Sequence, residues 1–116
     1  MRAFDLLERD SSPGCRRIQI EGELDLAVVP RLRQALGRAE RSRRVLIDLE
    51  RCDFIDLAAL ALLVQAGREG QAADRWLTVY GAGGQPLRLF EMLGLAEALI
   101  LRAGPRAPCR DRSANR

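Results

Sequence analysis

Two aspartates, Asp25 and Asp56, each stand just ahead of a segment with helical spacing, so two carboxylates could sit at the starts of two helices. Such a pair can do acid–base work beside a nucleophile, a metal or a cofactor, and the sequence signals none of these. The chain has no histidine, and all 19 of its basic residues are arginine. That excludes a Ser-His-Asp or Cys-His relay, a Walker A lysine and a Schiff base. Helix capping, at about 0.5–2 kcal/mol per cap, is the simpler role for both carboxylates. Cys15, Cys52 and Cys109 are far apart and show no Cys-x-x-Cys spacing, so no zinc or other metal site is expected. Three scattered cysteines fit a reducing compartment, and Cys52, between an apolar strand and Phe54, reads as a small filler. Gly81-Ala82-Gly83-Gly84 matches neither the dinucleotide fingerprint nor a P-loop and reads as a flexible strand-to-helix turn. No cofactor is implied and the chain is not expected to be an enzyme.

The elements that position these residues emerge from periodicity. At 116 residues and 12.9 kDa, with 47% apolar and 30% charged residues, the chain is long enough for one globular domain. Ala3 to Arg9 and Arg17 to Glu21 read as two strands, joined by the turn Ser11-Ser12-Pro13-Gly14 into a hairpin. Val28, Leu32, Ala35, Leu36 and Ala39 then form one helical stripe, with Pro30 tolerable in its first turn. Val45 to Leu49 has the composition of a strand buried on both faces. Asp56 is the expected N-cap of a helix from Leu57 to about Gly70, Trp76 to Tyr80 a further strand, and Pro86 to Leu93 a third helix. Gly94 is its expected C-cap, with Leu95 folding back. The order β-β-α-β-α-β-α predicts a small α/β layer structure.

Charge is uneven. Residues 102–116 hold five arginines against one aspartate, which leaves fourteen arginines against fifteen acids in residues 1–101. The expected division is therefore a nearly neutral domain, 1–101, and a basic, solvated, disordered tail, 102–116. Five aromatic residues supply little for base stacking, so no nucleic acid is expected. Arg41, Arg43 and Arg44 read first as a solvated loop. The N-terminus carries Asp5 and Glu8 where an export signal would be apolar, and the longest apolar run, Leu57 to Val64, is too short to span a bilayer. A cytoplasmic location is the resulting expectation.

Three motifs, in this order, carry a family resemblance: Gly22-Glu23-Leu24-Asp25, then Val45-Leu46-Ile47-Asp48-Leu49 with Phe54-Ile55-Asp56, then Arg88-Leu89-Phe90-Glu91-Met92-Leu93-Gly94-Leu95. Together they make residues 18–101 resemble a STAS domain, the family of bacterial anti-sigma-factor antagonists. The resemblance implies a single small domain with a mixed, mostly parallel sheet and helices packed against it. It also implies a partner-facing patch at Asp25, Asp56, Leu57, Ala58 and Ala59, and an anti-sigma factor or serine kinase of that type as the partner. In the family a serine or threonine just after the aspartate accepts phosphate, whose charge of about −1.5 to −2 at the helix start releases the partner. Here the stretch reads Asp56-Leu57-Ala58-Ala59-Leu60, so the equivalent position is Leu57 and no phosphorylation is expected there.

Exposed, Leu57 would offer apolar area to a partner; tucked inward, it would be an ordinary core residue. The reading is a non-enzymatic protein-binding module. Two alternatives stay beside it. Leu60-Ala61-Leu62-Leu63 also resembles the soluble STAS subunits of ABC-type lipid transporters, and the Gly81 to Gly84 loop could serve a ligand- or nucleotide-sensing domain. Homo-oligomerisation is left open.

Overall fold

The computed structural model describes residues 3–94, together with the backbone of residues 100–102. Asp5–Ser12 (β1) and Cys15–Leu24 (β2) pair antiparallel around Pro13 and Gly14, giving the expected hairpin. Arg44–Ile55 (β3), Trp76–Tyr80 (β4) and Ile100–Arg102 (β5) then add in parallel, so the sheet order is β1-β2-β3-β4-β5. Parallel neighbours need crossovers, and Val29–Arg38 (α1), Leu57–Ala72 (α2) and Gly84–Leu93 (α3) provide them. This is the single α/β domain anticipated from the sequence, with a mixed, mostly parallel sheet.

The register decides which side chains meet the helices. Ile18, Ile47 and Val79 lie side by side across β2, β3 and β4, and with Ile20 and Leu49 they face Leu32 and Ala35 of α1, Leu60 and Leu63 of α2, and Phe90 of α3. Each of these buried aliphatic or aromatic side chains contributes about 1.5–3 kcal/mol through the area it removes from water. All three helices share this one face of the sheet. Pro30 lies in the first turn of α1, where no intrahelical partner is lost. α3 ends at Gly94, whose φ of +61° places it in the left-handed region, as the expected C-cap.

Three boundaries differ from the sequence reading. β2 continues through Gly22-Glu23-Leu24, and β3 through the polar run Glu50 to Asp53, because the two strands keep pairing with each other beyond the point where β4 stops at Tyr80. Two register shifts in β2, between Gln19 and Glu21 and between Gly22 and Glu23, accommodate that extension. α3 opens at Gly84 instead of Pro86, and a fifth strand comes after it. The expected fold-back of Leu95 lies outside the described residues, as does the expected tail apart from Arg102 at the end of β5.

Candidate functional site

The extended β2–β3 pair delivers two aspartates to one end of the sheet. Leu24 and Ile55 are register partners, so Asp25 and Asp56 leave their strands side by side. Both have extended backbones and both cap the helical turn that begins at the next residue. The Asp25 carboxylate accepts from the Ala27 amide at 3.0 Å and caps a three-residue 3-10 turn, Leu26–Val28. One Asp56 oxygen accepts from the Ala59 amide at 3.0 Å, the N-cap bond of α2. The other accepts from the Leu26 amide at 2.7 Å. Asp56 thus fastens the start of the 3-10 turn to the start of α2, a bond that no local pattern in the sequence signals.

A third chain segment is tied to the same corner. The Gln85 side chain accepts from the Ile55 amide and donates to the Ile55 carbonyl, both at 2.9 Å, which holds the first turn of α3 against the end of β3. Gly81, at φ +77°, makes the preceding turn possible: a Cβ there would lie 2.4 Å from the Glu50 Cγ and 3.1 Å from the Glu50 backbone nitrogen. Close packing accounts for that glycine in the loop considered for phosphate binding.

Leu57 is 65% exposed and Leu26 68% exposed, so the leucine at the expected patch does not tuck into the core. Ala58 is exposed as well. Ala59 is a correction to the expected patch: its side chain is fully buried, because the third residue of an α2 capped at Asp56 turns toward the sheet. Asp25 and Asp56 are half-buried and committed to capping. Leu57 forms a ridge between two open grooves. One, of about 450 Å³, is lined by Leu26, Phe54, Gln85 and Leu89; the other, of about 760 Å³, by Leu60, Ala61, Val64 and Leu93. Sequence reasoning missed Leu26, Phe54, Leu89 and Leu93, which come from three separate segments and carry no common local pattern.

Chemistry is sparse around this ridge. Cys52 is buried, donates to the Phe54 carbonyl and has its thiol pKa pushed up to about 11, chiefly by burial, so it is held as an unreactive thiol. Among the described residues no cluster of three or more histidine, cysteine, aspartate or glutamate side chains could hold a metal, and no helix is long and apolar enough to cross a membrane. What the corner offers is an apolar surface on a rigid, hydrogen-bonded base.

A family model described as "Mlab, STAS domain" matches residues 7–102, most of the chain. The chain belongs to the STAS domain family. Among curated relatives of this STAS domain is the anti-sigma-B factor antagonist of Staphylococcus aureus, 29% identical over 89 residues, which span 75% of this chain and 82% of that protein. Among solved structures, an anti-sigma factor antagonist from Mycobacterium paratuberculosis superposes with a TM-score of 0.76 at 23% identity, covering 97% of this chain and 92% of the other. The Bacillus cell fate determinant SpoIIAA in its phosphorylated form gives a TM-score of 0.71 at 20% identity, covering 90% and 93%. At those identities the structural likenesses establish the fold, and the STAS assignment rests on the family model.

Proposed function

We propose that this domain is an anti-sigma-factor antagonist-like binding module that docks an anti-sigma factor, or a serine kinase of that type, through the corner built on Asp56. The observation that carries this reading is Leu57: exposed in the first turn of α2 and flanked by apolar grooves on both sides. Covering such a side chain fully is worth about 1.5–3 kcal/mol, enough to make it an anchor. Leu57 stands where the STAS resemblance puts the phosphoacceptor, and leucine has no hydroxyl to modify. Docking would therefore be constitutive, with an apolar contact in place of a chemical switch, and the domain would act by binding, not by catalysis, in the cytoplasm.

The test is a pull-down with an anti-sigma kinase encoded beside STAS-type partners in the source genome. Wild type should form a stable complex with or without ATP. Loss of the complex on adding ATP would contradict the proposal.

A second reading has an observation of its own. The matched family model is not described as an antagonist's, and the Leu60-Ala61-Leu62-Leu63 resemblance points to a soluble STAS subunit of an ABC-type lipid transporter. The same corner would then support an ATPase subunit, and recovery of that subunit in place of an anti-sigma factor would decide for it.

A further inference from the structure

The sheet has a second face, turned away from all three helices. Across β2, β3 and β4 it carries Arg17, Leu46 and Thr78 in one row and Gln19, Asp48 and Tyr80 in another, with Cys15 at the near end of β2. Leu46 and Tyr80 are 1% and 0% exposed, and Cys15, Asp48 and Thr78 are buried too. Yet the apolar cluster here, Cys15, Leu46 and Tyr80, is joined by no side chain from a helix. On β1 the same face is open, with Leu7 51% exposed. The cover is therefore local to β2, β3 and β4. Beneath it the Arg17 guanidinium pairs with Asp48 at 2.8 Å and lies 5.6 Å from the Tyr80 ring, while the buried Tyr80 hydroxyl has no hydrogen-bond partner.

The chain's route suggests what provides that cover. β5 ends at Arg102, opposite Tyr80, at the far end of β4. Cys15 pairs with Arg44, which pairs with Trp76, four residues back along the strands. At about 3.3 Å per residue and 4.8 Å per strand, Arg102 and Cys15 are separated by roughly 20 Å along the diagonal of this face. Seven residues, 103–109, reach about 23–25 Å when extended. Cys15 is disulfide-bonded and Cys52 is free. The sequence contains one other cysteine, Cys109.

We propose that residues 103–109 form a strap over the second face of the sheet, fastened by a Cys15–Cys109 disulfide. This replaces the expectation of a solvated tail with a redox-sensitive closure. In forming it, each thiol gives up its proton, the two sulfurs bond, and the two electrons reduce a small-molecule disulfide such as oxidised glutathione to two thiols. Reduction reverses the exchange and uncovers Leu46 and Tyr80.

The full chain, equilibrated with oxidised glutathione, alkylated and digested with trypsin, should yield the peptide 10–16 linked to 107–110, lost on treatment with dithiothreitol. Native cleavage after Arg106 should be at least about tenfold slower in the oxidised than in the reduced protein, since a held segment must open before it is cut. Cys109→Ser should be cut at the fast rate in both conditions while keeping its fold by circular dichroism. Alkylation of Cys15 and Cys109 in the oxidised sample would overturn the disulfide. A linked peptide with equal cleavage rates in the two redox states would overturn the strap.

Discussion

The Leu26 amide donates to the Asp56 carboxylate at 2.7 Å, so one side chain sets both the 3-10 turn after β2 and, through its bond to the Ala59 amide, the first turn of α2. The two most exposed leucines of the candidate site, Leu26 and Leu57, hang on that single carboxylate. Asp56→Ala should cost about 0.5–2 kcal/mol for the lost cap, plus the unmet Leu26 amide. Asp25→Ala should cost less, because its bond caps only a three-residue turn. Urea denaturation of the two variants gives the order directly.

Leu57→Glu separates surface from fold. An exposed first-turn position should tolerate glutamate within about 0.5 kcal/mol of wild-type stability, and an acidic side chain even suits the N-terminal end of a helix dipole. Partner binding should nevertheless weaken by a few kcal/mol, because docking would bury an unpaired carboxylate. Thermal melting and a binding titration on the same preparation check both halves.

Leu57→Ser restores a hydroxyl beside the Asp56 cap. If the position is the counterpart of the family's phosphoacceptor, the variant should take up phosphate from a partner kinase and ATP, and the complex should then dissociate. Mass spectrometry of the peptide spanning residues 52–68 reads the modification, with wild type as the unmodified control.

Much of this corner could be read in the sequence, and the part that could not has a common cause. Capping depends on a residue and its next three amides, so Asp25 and Asp56 were legible as caps, and Leu57 could be placed at the start of a helix. The Asp56–Leu26 and Gln85–Ile55 bonds each span thirty residues, and the grooves collect side chains from β3, α2 and α3. No local period encodes such meetings. The same reasoning explains β3: alternation and apolarity end at Leu49, but pairing with β2 carries Glu50 to Asp53 onward as strand. β5, three residues long, had too short a pattern to register.

Gly81→Ala should be among the more destabilising surface-loop changes. It forces a side chain into the left-handed region, costing about 1–2 kcal/mol, and drives the new Cβ against Glu50. Gly83→Ala, where a Cβ meets nothing within 4 Å, is the matched control. A difference in melting temperature between the two variants checks the packing role assigned to Gly81.

Acid sensitivity should involve Glu8. Its carboxylate accepts from Arg38 of α1 and from Arg16 of β2, and these bonds, Arg38 foremost, hold its pKa below the ordinary glutamate value against the opposing effect of burial. A depressed folded-state pKa contributes stability that is present above the unfolded value near 4.5 and is lost as pH falls through the folded one. Glu8→Gln should therefore be less stable than wild type at pH 7, and the gap should narrow as the pH drops below 4.5. Denaturation midpoints across that range test the sign.

Isothermal titration of an anti-sigma kinase from the source genome into wild type and Leu57→Glu, each with and without magnesium ATP, addresses the docking claim most directly. The expected result is tight wild-type binding that ATP leaves unchanged, no phosphate on residues 56–60, and at least about hundredfold weaker binding by the variant. Equal affinity of the two proteins would move the interface away from Leu57, and release of wild type by ATP would contradict constitutive docking.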